Sequence, residues 1–343
     1  MVTTNMSKQT DLKISPDIKK PKNYRDTLII VGNGFDIWQG LHTGAGDFNR
    51  YFRRHQSEIL KKLNILPVEM REGDGPIEYG TSLDMIYGAS TGEFKIYSDF
   101  WYEFEEALGD MEEESIIRFF GTKPSDIEDI RRHTTNAWHI LKYVVPHWIQ
   151  TVSIPKSPLP FVFPSTCLFL TFNYTLTLQK RQNIDKSNIY HIHGCVKHPE
   201  SIIFGHNSCP QKPQDFDIRV FGGSFKAGHY LLELLHKTDK KIATRIRDYK
   251  KYLHNYHYLL REIRNIYIVG HSLGKIDADY FKFLRKSVCP NAKWHISYFS
   301  EEDKKRAETL MHHLKIRSKQ YELYPSIDKC LQPFMCSIEN KKN

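Results

Sequence analysis

The chain lacks any run of about 18 apolar residues, so no segment is expected to cross a membrane as a helix. Its six cysteines (Cys167, Cys195, Cys209, Cys289, Cys330 and Cys336) contain no C-x-x-C pair, which excludes the paired spacing of a structural zinc site. The opening residues, MVTTNMSKQTDLKISPDIKKPKNYRD, lack the apolar core of a secretory signal, so reduced thiols and a cytoplasmic location are expected. Internal repeats, low-complexity tracts and the acidic motifs of metal-dependent nucleases are missing as well. The glycine fingerprint of a dinucleotide-binding turn is incomplete: Gly32 and Gly34 have the G-x-G spacing, but the third glycine is absent.

What is present points to an ordered α/β protein. The 343 residues are 40% hydrophobic, 13% aromatic and 26% charged, enough for a large core under a well-solvated surface. The net charge of +9 comes partly from the lead-in, partly from Lys237–Lys251 and partly from the C-terminal NKKN. These read as solvated helix faces and tails. Attraction to nucleic acid rests on charge alone, because the basic residues are not interleaved with a nucleic-acid module.

Short apolar runs ending in glycine or a polar residue mark buried strands at Asp26–Val31, Cys167–Phe172, Asn188–His193, Ser201–Phe204, Asn265–Val269 and Lys293–Phe299. Helical patterns fall between them, from about Phe35, over Asp47–Leu63, Phe100–Phe120, Ser125–Gln150, much of Gly228–Arg264, and Glu301–Ile316. Met70–Tyr97 has no clear period, and the Pro-rich connector Ile154–Pro164 breaks the pattern. Strands alternating with helices spell a doubly wound parallel sheet. The expected organisation is a flexible basic lead-in over 1–25, an α/β domain over 26–330 with a mostly helical insertion over about 47–164, and a tail over 331–343.

Four motifs sit at strand ends, where such sheets bind ligands. Val31–Asp36 (VGNGFD) is a strand-to-helix turn that lets backbone approach a phosphate, or is simply a tight turn. Thr171–Thr175 (TFNYT) places an amide after a strand. In His191–Gly194 (HIHG), strand alternation puts His191 and His193 on one face, yet no third ligand is suitably spaced, so no metal is expected. A histidine at such a strand end suits a general base, because its ordinary pKa lies near neutrality. Gly270–Gly274 (GHSLG) matches the G-x-S-x-G nucleophile elbow, with Asp277, Asp279, Asp303, His312 and His313 downstream. That serine-hydrolase reading leaves only about 70 residues for the rest of the sheet and both triad partners.

The ordered set GNGFD, Gly40–Thr43 (GLHT), Asp47–Phe48, FNYT, HIHG, Ile202–His206 (IIFGH) and IYIVGHSL with Asp277, Asp279 and Tyr280 resembles the AbiH family of bacterial abortive-infection proteins. The resemblance spans Leu28 to Tyr280. Within it the pattern is similar to sirtuin-like proteins, in which such segments surround NAD. The resemblance implies an α/β fold with a Rossmann-like, sirtuin-like parallel sheet and a mostly helical insertion. It assigns Asn173 and His193 as catalytic, and Gly32, Asn33, Gly34, Phe35, Asp36, Thr175, Gly270, His271 and Ser272 as contacts to NAD. Three departures stand out: Thr175 occupies a position where sirtuin-like NAD hydrolases carry Asp, the turn is GNG and not GAG, and the zinc-ribbon cysteines of deacylating sirtuins are missing.

The implied function is an anti-phage effector that hydrolyses NAD at the nicotinamide N-glycosidic bond, with His193 activating water and Asn173 orienting it. A nucleotide sensor or scaffold without turnover, and a serine hydrolase using Ser272, are the alternatives. A phage-derived trigger, a regulatory partner and an oligomer stay open.

Overall fold

A computed structural model describes residues 26–64, 68–70, 78–80, 105–108, 118, 124–157, 161–207 and 224–335. β1 (Thr27–Val31) leads into α1 (Asn33–Trp38) and α2 (Ala45–Leu63), followed by a hairpin of β2 (Val68–Met70) and β3 (Glu78–Gly80). Next come α3 (Pro124–His139), a π-helical turn over Ile140–Val144, α4 (Val145–Thr151), β4 (Leu168–Thr171), α5 (Thr177–Arg181) and β5 (Ile189–His191). The order closes with α6 (Ser224–Thr238), α7 (Ile242–Asn255), β6 (Asn265–Val269), α8 (Ala278–Ser287), β7 (Lys293–Ser297), α9 (Glu301–His313), β8 (Tyr321–Tyr324) and α10 (Ile327–Cys330).

Six strands form one sheet in the order β5-β4-β1-β6-β7-β8, every neighbouring pair parallel. Counted within this sheet, the order is 3-2-1-4-5-6, that of dinucleotide-binding doubly wound sheets. The expected Rossmann-like parallel sheet is therefore present. Strand alternation divides the core between the two faces. Leu28, Ile30, Leu168, Leu170, Ile266 and Ile268 face α7, α8 and α9, while Ile29, Val31, Phe169 and Val269 face Phe35, Phe161, Phe163 and α10. Burial on both faces is why these strands read as unbroken apolar runs.

A second core joins α2, α3, α4 and α6 through Phe48, Phe52, Ile130, Leu141, Trp148, Leu231 and Leu234. The helix running from α3 to α4 widens into its π turn just before Pro146, which has no N–H to continue an α ladder.

Several sequence expectations need correction. Ser201–Phe204 is not a strand. Gly194 (φ +82°) turns the chain back after His193, a 3-10 turn covers Pro199–Ser201, and Ser201 and Ile202 N–H donate locally to His198 O and Pro199 O, while Ile203 N–H reaches His193 O at 3.0 Å. Of the tail expected over 331–343, residues 331–335 pack on the domain, with Leu331 fully buried and Met335 bridging Phe161, and 336–343 lie outside the described residues. Strand β8 was not anticipated. Helical structure expected over Phe100–Phe120 is described only at 105–108 and 118, and most of Met70–Tyr97 lies outside the described residues.

Candidate functional site

The order of the sheet reverses between β1 and β6, so the turns after these two strands meet at its carboxyl edge. Gly32 N–H donates to Val269 O at 3.0 Å and Gly34 N–H to Gly270 O at 2.8 Å. A Cβ on Gly32 would stand 2.6 Å from Gly270 O, and one on Gly270 would stand 2.1 Å from Phe35 N. Gly270 also holds φ +63°. The glycines therefore answer first to packing between two turns, and the N–H groups of Gly32, Gly34 and Phe35 are already donated within the protein. This corrects the reading of Gly32 and Gly34 as a free phosphate cradle. Gly270→Ala is expected to lower stability by about 2–4 kcal/mol, combining a strained φ with overpacking, as measured by the urea midpoint at unchanged slope.

Over this edge lies a cavity of about 260 Å³. Asn33, Asp36, Asn173, Thr175, His193, His271 and Ser272 line it together with Gly32, Gly34 and Gly270, so ten of the eleven residues singled out from the sequence converge there. The eleventh, Phe35, does not face it: its ring is fully buried below the turn against Trp38 and Phe161. Val145, Trp148 and Ile149 of α4, with Phe204, supply an apolar wall, so the helical core contributes directly to the site.

One corner of the cavity is acceptor-rich and, among the described residues, holds no cation. Asn173 Nδ2 donates to Gly32 O at 3.0 Å, which fixes the amide, and its buried Oδ1 has no partner among the described residues. Thr43, 3% exposed, likewise has an Oγ1 without a partner among the described residues, while Asn33 Nδ2 ties down Thr43 O at 2.9 Å. Behind Asn173, His191 Nδ1 donates to Asn173 O at 2.9 Å, and its Nε2 accepts from Gln179 at 2.7 Å. His191 thus positions the loop and does not line the cavity, so it is not paired with His193 as the alternation suggested. Thr175 Oγ1 donates to Asp36 Oδ2 at 2.6 Å. Thr175 thus sits against a carboxylate, that of Asp36. Burial pushes Asp36 up to about 6, against the lowering influence of Thr175, Thr177 and Asn173.

The opposite corner is ionic. Lys240 Nζ lies 3.0 Å from Glu105 Oε2 and 3.2 Å from Asp277 Oδ1, with its side chain 2% exposed. Burial alone would lower the Lys240 pKa, but the two carboxylates outweigh it and hold the ammonium above its usual range. Burial opposes ionisation of Asp277 too, yet Lys240, His193 and His271 hold it below the usual carboxylate range. Glu105 is pushed upward, chiefly by burial. His271 accepts from Leu273 N–H at Nδ1 (2.9 Å), so its proton is on Nε2, 3.6 Å from Asp277 Oδ2. His193 Nε2 stands 3.3 Å from Tyr280 Oη and 3.9 Å from Asp277 Oδ1. The Phe172 ring lies edge-on to both imidazoles.

Burial, then the Lys240 cation, push His193 down to about 3, and burial pushes His271 to about 4. This corrects the expectation of a His193 poised near neutrality: at physiological pH it is a neutral hydrogen-bonding group. Lys240 and Glu105 were not found from sequence, since Lys240 lies in a run read as solvated.

Ser272 lines the cavity, but among the described residues no histidine hydrogen-bonds its hydroxyl, and its carbonyl accepts from Arg306 at 3.0 Å. The strained left-handed positions of this loop are Gly270 and Leu273 (φ +55°), not Ser272. A nucleophile elbow needs its serine on the strained turn and beside a base. Ser272→Ala is expected to change turnover less than about threefold, since neither feature of a nucleophile is met. Labelling by a serine-directed probe, lost in that variant, would reverse this assignment.

Among the described residues no helix is long and apolar enough to cross a membrane, and no three His, Cys, Asp or Glu side chains group as metal ligands. No curated protein matches the chain. The family model for bacteriophage abortive infection AbiH matches residues 28–298, from the first strand through the last residues of β7, and so takes in every segment that builds the cavity. The chain belongs to the AbiH family of bacteriophage abortive-infection proteins.

Proposed function

We propose that the chain is an abortive-infection effector whose cavity binds NAD or a related nucleotide and cleaves the nicotinamide N-glycosidic bond. One observation carries the reading: at the strand-order reversal Asn173, a residue of the cavity wall, is locked by Nδ2 on Gly32 O and leaves its buried Oδ1 without a partner among the described residues. Leaving a buried acceptor unpaired costs about 1–3 kcal/mol, a cost that a bound hydroxyl or water offsets. A cavity of about 260 Å³ is small for a ligand site, so it takes the ring and ribose being separated, with the rest of the dinucleotide at its mouth.

Nicotinamide leaves with the electron pair of the C1′–N bond, which neutralises its pyridinium ring, so little acid catalysis is needed. Asn173 holds the incoming water, neutral His193 hydrogen-bonds the ribose, and Trp148 with Phe172 keeps bulk water out. Release of free nicotinamide from NAD by the purified chain is the direct test. Tight NAD binding without release favours the sensor reading, and neither binding nor release removes the nucleotide from the account.

A further inference from the structure

We propose that Asp36, and not His193, accepts the proton of the attacking water, making the GNGFD turn the source of a catalytic residue. The proposal rests on the N-glycosidase reading above. Among the described residues three carboxylates line the cavity, and they differ in company. Glu105 and Asp277 share Lys240. Asp36 is 1% exposed and is faced by Thr175, Thr177 and Asn173, all neutral, and these with burial are the influences on its titration.

Thr175 Oγ1 donates to Asp36 Oδ2 at 2.6 Å and lies 2.8 Å from Thr177 Oγ1, so the hydroxyls hold the carboxylate in place without neutralising it. A buried carboxylate without a cation is unfavourable to the fold, and an amide of the same shape would serve packing better. A carboxylate at the cavity wall is what a base requires. Asn173 stands beside it, its Oδ1 unpartnered. A water donating one hydrogen to Asn173 Oδ1 and the other to Asp36 directs its lone pair at C1′. As the C1′–N bond breaks toward nicotinamide, the C1′–O bond forms and the water proton passes to Asp36. The products are nicotinamide and ADP-ribose, and the proton returns to solvent. With a pKa of about 6, Asp36 is mostly ionised at neutral pH and still basic enough to take the proton, whereas His193 at about 3 is not.

The test is nicotinamide release from NAD by the full chain, as a function of pH, in wild type, Asp36→Asn, Thr175→Val and His193→Gln, with thermal unfolding in parallel. Wild-type kcat is expected to fall on the acid side with a midpoint near that value of about 6. Asp36→Asn should reduce kcat by on the order of 10²–10⁴-fold, leave KM nearly unchanged, remove the acid limb, and melt no lower than wild type. Thr175→Val keeps the shape but loses the donor that lowers the Asp36 pKa, so its limb should move to higher pH, while His193→Gln keeps the limb where it was. Asp36→Asn within about threefold of wild type, or an acid limb that survives it or ignores Thr175→Val, overturns the assignment and leaves the glycosidase reading intact. A wild-type chain that binds NAD but releases no nicotinamide overturns both.

Discussion

Replacing Lys240 by methionine is expected to lower the unfolding free energy by about 3–5 kcal/mol at neutral pH, because it strands a buried carboxylate without its cation. The side chain is nearly as long and fits the same space, so the loss is electrostatic and not a cavity. Lys240 ties three distant segments together: Glu105, the α6–α7 junction, and Asp277 at the start of α8. The pH dependence gives the effect a signature. In wild type, Asp277 is held below the usual range, so its contribution is present above its unfolded pKa and is lost as pH falls through the folded value. Lys240 is held above its usual range, so its contribution is present at all pH values below its unfolded pKa and is lost only as strongly alkaline pH passes the folded value. In the variant both carboxylates shift upward and take up protons as pH falls. The deficit should therefore be largest at about pH 7–8 and shrink toward about pH 5. Urea unfolding at both pH values measures it. A deficit below about 1 kcal/mol at neutral pH would mean that the three charges contribute no more than an exposed pair.

That network also explains why the protonation state of the site was not legible in the sequence. HIHG placed His193 at a strand end, and there it is, but its basicity depends on burial and on a lysine 47 positions later. Glu105 and Lys240 are 135 residues apart, and each sits in a segment whose local pattern carries no chemistry. Motifs that follow strands were readable because a parallel sheet brings all its carboxyl ends to one edge. β1, β4 and β6 were readable for a related reason: burial on both faces leaves an apolar run with little ambiguity. β8 has the sequence YELY and lies half-exposed at the sheet edge, so it carries no such run. Ile202 and Phe204 in Ser201–Phe204 are buried like strand residues, yet Gly194 and Gly205 bend the chain at either end, so apolar composition there reports burial without pairing. The glycines misled in a subtler way. They stand at the β1 turn as expected, but what requires them within the protein is the close approach of Gly270, which follows β6 and lies far along the chain.

A large functional loss is expected at Asn173 as well, where two substitutions separate orientation from acceptor strength. Asn173→Ala removes the acceptor from the cavity and the donor from Gly32 O. Turnover should fall by on the order of 10²–10³-fold, the usual scale for deleting one preorganised polar contact to a reacting group. Stability should fall by only about 1–3 kcal/mol, the cost of an unpaired buried carbonyl. Asn173→Asp keeps shape and acceptor, yet should be at least as damaging. Its second oxygen faces Gly32 O, acceptor against acceptor, unless it holds a proton, and it adds a carboxylate beside buried Asp36. Two such groups resist joint ionisation, so the shared acid limb should move above about 6. Because Asn173 and Asp36 act on one water, the double variant Asn173→Ala, Asp36→Asn should lose little more than the worse single variant. Multiplying losses would mean that the two side chains serve separate steps. Full turnover in Asn173→Ala would place the chemistry away from the unpartnered amide, and Asn173→Asp as active as wild type would show that its orientation on Gly32 is not what the reaction uses.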